Sequence, residues 1–176
     1  MKQKGFTLIE LIIVIVILGI LAVTAAPKFI DIQSDATAST LQGAKAAMQG
    51  GAQLVYAKAA IAGVQSQEAD GAGNPTVTVN GSTVSVTFGY PDAEQAAALA
   101  DITTWVDLQA ADWTFVAGDG AAAETSPADG SFGVHPAGAA VDFEETGAAG
   151  DSCHVLYTNA TDENTPPVIT VVSGGC

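Results

Sequence analysis

The chain has 176 residues and carries five Lys, no Arg and 19 acids, for a net charge of −14. Such a balance repels nucleic-acid phosphates and argues against a DNA- or RNA-binding role, while the length accommodates one domain plus an extension and hardly two. Apolar residues make up 48% but aromatics only 6%, so the core is expected to be small and to benefit from a covalent staple.

The first predicted element is "GFTLIELIIVIVILGILAVTAAPKF", residues 5–29. From Phe6 to Ala26 only Thr7, Glu10, Gly19 and Thr24 interrupt the apolar run. As a helix this stretch extends roughly 31 Å, about one bilayer core. Lys2 and Lys4 precede it and the acidic bulk follows, which by the positive-inside bias puts the N-terminus in the cytoplasm and the rest outside. "TAAP" at 24–27 has the small residues of a signal-peptide cleavage site. The run is too long for a signal-peptide core, however, and it continues as amphipathic helix through Lys28. Glu10 is the one charge in the segment. An ionisable residue in a membrane segment is a functional candidate whose cation should be named, and no Lys or Arg lies within the run. An α-amino group near Phe6 fits, and it exists only if the chain is cut after Gly5. A plain structural role is an acid at a helix start, favoured by the dipole at about 0.3–1 kcal/mol.

The helix is expected to continue to about Gly63. Ile30, Thr37, Leu41, Ala44, Met48, Val55, Ala59 and Ala62 form its buried stripe, with Lys28, Asp31, Asp35, Lys45, Gln49 and Lys58 opposite. Met48 and Leu54 read as ordinary packing under a sheet. Pro27 removes a backbone bond and should kink the helix, and Gly19 weakens it. Gly50-Gly51 is a weak point at about 1 kcal/mol per Gly against Ala.

A globular head over residues 64–176 follows. "TVTVNGSTVSVTF" predicts a hairpin turning at Asn80-Gly81, which puts Val77, Val79, Val84 and Val86 on one face. "GYPDAEQAAALADI" predicts a helix with Asp92 as N-cap and Gln95 as its partner three residues on. Further strands are expected at Trp113–Val116, Phe132–His135, Ala140–Phe143, Cys153–Thr158 and Val168–Val172, separated by loops at 117–131 and 144–151. The fold class is α+β: a long N-terminal helix, half membrane-spanning and half amphipathic, packed against an antiparallel sheet. Cys153 and Cys176 enclose 24 residues. Outside the inner membrane a disulfide between them is expected, contributing roughly 3 kcal/mol in the loop-entropy account.

No catalytic constellation is found. His135 and His154 are 19 apart with no Cys or acid cluster at metal spacing. Asp70, Asp119, Asp129, Asp151, Asp162 and Glu163 read as solvated loop charge and fit no calcium loop. Asn80-Gly81-Ser82 and Asn159-Ala160-Thr161 match the glycosylation pattern, but Asn80 is better explained by its turn. No cofactor or metal site and no enzyme activity are expected.

The N-terminal residues resemble the type IV pilin precursors: a basic leader ending in Gly5, then Phe6, then Glu10 at the fifth position after the junction, then an apolar run reaching Pro27. The resemblance implies that a prepilin peptidase cuts Gly5–Phe6 and methylates Phe6, removing residues 1–5. It implies that Glu10 meets the N-terminal amine of a neighbouring subunit during assembly. Residues 6–27 would form the membrane and filament-core helix, with Gly19–Pro27 its flexible segment, and residues 28–63 the amphipathic half. Pilins also close a C-terminal loop by a disulfide, here 153–176. Within type IVa pilins, "TAAPKFIDIQSDATASTLQGAKAAMQGGAQLVYAKAAIAG", the "GYP" before a helix, and the Cys153–Cys176 tail are similar to the mannose-sensitive haemagglutinin type. The resemblance implies an inner-membrane precursor, a secreted homopolymer, and as partners the assembly platform, the outer-membrane secretin and a cell-surface glycan or abiotic surface. Nucleic acid is not among them. It implies adhesion, biofilm formation and haemagglutination as filament functions. The alternatives are a type II secretion pseudopilin, which shares the N-terminus but usually ends in a calcium loop without the disulfide, and a minor or DNA-uptake pilin.

Overall fold

The computed structural model describes residues 5–94, 99–139, 141–144 and 152–176, apart from the side chains of Ile30 and Leu99. The chain divides into two compact units, one up to Thr37 and one from Ala38. Helix α1 runs Leu8–Ala62 and includes Pro27 without a break in its assignment.

In the second unit the C-terminal part of α1 supplies one wall of the core. Leu41, Ala44, Met48, Ala52, Val55 and Ala59 are all buried, at successive steps of three and four residues, as one face of a helix requires. Ala52 fills the gap between Met48 and Val55. Two expectations are corrected here: Ala62 is exposed and Leu54 is 49% exposed. The helix end explains the first. Gly63 takes φ 73°, its N–H bonds the Ala60 carbonyl, and the Val64 N–H bonds the Ala59 carbonyl. This is a Schellman stop, and it turns Val64 rather than Ala62 toward the core. Leu54 lies about 100° around the helix from Val55 and so falls off the buried face.

Strands β1 (Thr76–Val79), β2 (Ser82–Thr87) and β3 (Tyr90–Pro91) form an antiparallel sheet in that order. Val77 pairs with Val84 and Val79 with Ser82, and Val77, Val79, Val84 and Val86 are all buried, as the alternation predicts. Asn80 and Gly81 have φ of 51° and 85°, the mirror-image turn that suits strand twist. Strand β3 was not expected. Phe88 and Gly89 repeat the same backbone pattern with φ of 48° and 82°, a turn without the usual Asn or Asp to announce it.

Short helix α2 (Leu99–Ile102) comes next. The expected helix from Asp92 is represented by this turn alone among the described residues, and Gln95 lies outside them. The Asp92 Oδ1 accepts the Glu94 N–H at 3.1 Å, a local turn of the kind Asp favours. The second sheet is an antiparallel meander of β4 (Trp113–Ala117), β5 (Ser131–Pro136), β6 (His154–Thr158) and β7 (Val168–Val172). Four of the five expected strands are therefore present, with ends shifted by a residue or so.

The fifth, Ala140–Phe143, is corrected for its described part: residues 141–143 form no strand. Their donors go elsewhere. The Asp142 N–H bonds Ser152 Oγ at 2.8 Å and the Phe143 N–H bonds the Glu124 carbonyl at 3.3 Å. The buried Phe143 ring instead covers Gly133 of β5, where any Cβ would collide with it. Phe132 and Tyr157 are cross-strand partners with rings stacked 4.7 Å apart, and Trp105 packs beside both.

Candidate functional site

Among the described residues of the first unit, the large apolar side chains stand exposed. Leu8, Ile9, Leu11 and the Ile, Val and Leu residues from Ile12 to Val23 are all about half exposed or more. A helix apolar on every side belongs in lipid or inside a larger assembly, and α1 holds a window long and apolar enough to cross a membrane. β-branched residues dominate this window, and burial on all sides would fix their stiff side chains at little entropic cost.

The start of α1 is tightly built. Thr7 is the N-cap and Glu10 the third helical residue. One carboxylate oxygen of Glu10, Oε2, accepts both the Thr7 N–H and the Thr7 hydroxyl, each at 2.7 Å. In return the Glu10 N–H donates to Thr7 Oγ1 at 3.3 Å. This is a capping box, and it satisfies donors that a helix start would otherwise leave bare. The dipole reading of Glu10 passes over it, although Thr-x-x-Glu before an apolar run is a legible signal. Oε1 takes none of these bonds. The next basic residue along the helix, Lys28, is about 27 Å away at 1.5 Å per residue, so it cannot serve Glu10.

Gly5 and Phe6 precede the cap, and the Phe6 ring is 94% exposed. Gly19 stands in open space within α1. Ahead of Pro27, Thr24 Oγ1 donates to the Leu21 carbonyl at 3.0 Å, occupying one acceptor near the bond that Pro27 cannot make.

At the other end of the chain Cys153 and Cys176 are joined, with S–S 2.10 Å and Cα–Cα 5.0 Å. The Gly175 N–H bonds the Ser152 carbonyl at 2.8 Å. Ser152 Oγ shares a 2.7 Å hydrogen bond with His154 Nδ1. His154 is fully buried, with the Phe143 ring 4.8 Å away. Burial, and secondarily His135, push its pKa down to about 4 against an opposing pull from Asp142. Two of the loop acids form turns: Asp70 accepts bonds from Ala72 and Asn74, Asp162 from Asn164 and Thr165, while Asp151 lies outside the described residues. Asn159 is committed to the fold. Its side chain accepts the Ala93 N–H at 2.7 Å and donates to Asp92 Oδ1 at 2.8 Å, a use no local sequence pattern announces.

Residues 1–26 match the family described as the prokaryotic N-terminal methylation motif. The chain is also 49% identical over 49 residues to the type IV narrow pilus major component PilA5 of Thermus thermophilus. That match spans 28% of this chain and 42% of that relative's length. No solved structure matches the chain significantly.

Proposed function

We propose that this chain, type IV pilin-like in its N-terminal motif, is the repeating subunit of a type IVa pilus. The observation that carries the reading is the start of α1, where a capped carboxylate opens a helix whose large apolar side chains from Leu8 to Val23 stand about half exposed or more. A prepilin peptidase on the cytoplasmic face would cut Gly5–Phe6 and methylate the new amine. The precursor waits in the inner membrane through residues 6–27 until the assembly platform draws it out and the polymer passes the outer-membrane secretin.

The physics of assembly follows from Glu10. In a bundle of identical apolar helices, dispersion and burial hold copies together but leave them free to slide along one another. A carboxylate in that dry interior is strongly destabilised unless a cation meets it. The Phe6 amine of a neighbour supplies that cation at one axial register only. The capping bonds hold Oε2 against Thr7 and leave Oε1 for the neighbour.

The finer reading is a major pilin of the mannose-sensitive haemagglutinin type, acting in attachment to cells or abiotic surfaces, biofilm formation and haemagglutination. It rests on residues 24–63, the Gly89-Tyr90-Pro91 stretch and the Cys153–Cys176 tail. The terminal disulfide also favours a pilus over a secretion pseudopilin. The intact mass of the mature subunit tests processing: it should lack residues 1–5, carry one added methyl group and be two hydrogen atoms lighter than the reduced chain. Electron micrographs of cells with and without the gene test the filament. Long surface fibres that vanish on deletion are expected; a secretion defect without fibres would transfer the chain to the pseudopilins.

A further inference from the structure

Strand β4 ends the second sheet, with β5 as its neighbour in the order β4-β5-β6-β7. Hydrogen bonds at its two ends fix which backbone groups face β5. The Ala137 N–H bonds the Asp112 carbonyl at 2.9 Å, and the Gly118 N–H bonds the Ser131 carbonyl at 2.9 Å. In an antiparallel ladder the bonded pairs recur at every second residue, so Asp112, Thr114, Val116 and Gly118 turn their N–H and C=O groups to β5. Those of Trp113, Phe115 and Ala117 point away from it, and among the described residues no backbone bond from outside the sheet reaches them. All three residues are partly exposed, although Trp113 and Phe115 pack on the core. Natural sheet edges are blunted by Lys, Pro or a bulge. The strand "WTFVA" has no Lys and no Pro, and its register with β5 is unbroken. β7, at the other edge, is entered through Pro166-Pro167, which offer no N–H.

We propose that the β4 edge docks an extended segment of another protein, added as a fifth antiparallel strand with a Lys or Arg at each end. Charge sets the ends. Asp112 and Asp119 are exposed and bracket the uncharged strand, so bases seven residues apart on the incoming segment would lie opposite them. Residues directly opposite share a face. The segment therefore sets apolar side chains beside Trp113 and Phe115, and polar ones beside Thr114. Main-chain bonds supply affinity in this mode, and the flanking charges select the partner. A second copy fits less well. Pairing β4 with β4 about Phe115 would bring Asp112 of each copy next to Asp119 of the other, a like-charge clash at both ends. Residues 59–176 contain no Lys or Arg, so no strand of this fold brings a basic flank. The edge belongs to the second unit alone and stands whether or not the chain polymerises.

The test is calorimetric titration of the full chain in non-ionic detergent micelles with the octapeptide acetyl-KTVTVTVK-amide, whose valines fall opposite Trp113, Phe115 and Ala117. Saturable one-to-one binding is expected. The same peptide with its three valine nitrogens methylated keeps the charge but loses the donors, and should bind at least tenfold more weakly. So should acetyl-ETVTVTVE-amide. Ala117→Pro removes an outward N–H that the β4–β5 ladder does not use, and should weaken binding at least tenfold. Asp112→Asn with Asp119→Asn leaves the backbone untouched, should weaken it several-fold, and decides the matter if Ala117→Pro does not fold. No saturable binding, equal binding of the methylated or the acidic peptide, or full affinity in the double Asn variant overturns the proposal. A dimer in sedimentation that Ala117→Pro abolishes would also overturn it, giving the edge to a second copy.

Discussion

In the proposed filament the Glu10 side chain would serve two purposes. The capping box needs only an acceptor at the end of the residue-10 side chain, and Gln provides one. The proposed filament register would need a charge. Glu10→Gln separates the two: α1 should form as in the wild type by circular dichroism, while fibre yield should fall by an order of magnitude or more. Normal fibres from this variant would leave the charge-pairing account without support. The Gly50-Gly51 pair makes a similar contrast. A Cβ at Gly50 meets nothing, whereas one at Gly51 would collide with the Trp105 carbonyl oxygen and come within 2.9 Å of its ring. Gly50→Ala should therefore stabilise by about 0.5–1 kcal/mol through helix propensity. Gly51→Ala should destabilise by about 1–3 kcal/mol through overpacking, both read from chemical denaturation.

Among the elements, β6 concentrates the most consequence. Its first residue follows Cys153, its His154 is buried against Phe143, and its Tyr157 hydroxyl donates to the Pro91 carbonyl at 2.8 Å. The His154 pKa is depressed, so the folded state holds the neutral ring while the unfolded chain takes up a proton below about 6.5. This contribution to stability should thus shrink as pH drops from about 6.5 and be gone once pH has fallen through about 4, the value in the fold. The linkage amounts to about 3 kcal/mol. Thermal unfolding of the full chain at pH 7 and 4.5 measures most of it, and His154→Asn should flatten the profile in that window. The Asp70 and Asp162 carboxyls act lower on the scale. Hydrogen bonds from Asn74 hold the first below the usual carboxylate range, and those from Thr165 the second. Their stabilisation is present above the ordinary Asp pKa and is lost only as pH falls further. The disulfide closes β6 and β7 at the chain end. Replacing both Cys153 and Cys176 with Ser should lower stability by roughly 3 kcal/mol, visible as a shifted denaturant midpoint that reductant reproduces in the wild type.

At the scale of the whole molecule, charge and hydrophobicity are segregated along the chain. Of the 19 acids, all but Glu10, Asp31 and Asp35 fall in residues 64–176, which carry no Lys or Arg. Copies brought side by side would repel through these surfaces, and salt would screen the repulsion over about 10 Å at 0.1 M. Fibre assembly should therefore improve between 10 mM and 150 mM salt, measured by sedimentation of polymer; assembly insensitive to salt would mean that the acidic surfaces stay apart. The segregation itself was legible in the sequence, as were the long apolar helix, the Asn80-Gly81 hairpin with its valine face, and the Cys153–Cys176 closure. Each depends on signals a few residues long or on covalent chemistry: a helical period, a turn that needs positive φ, a run of like side chains, a pair of thiols able to join. The rest was decided by packing between distant segments. Trp105 against Gly51, Phe143 over Gly133 in place of a strand, Asn159 bridging back to Asp92 and Ala93, and the unannounced β3 turn beneath Tyr56 all join residues that share no local pattern. Contacts of this kind exist only once two surfaces meet, because the volume and donors that each residue must match belong to its partner in space.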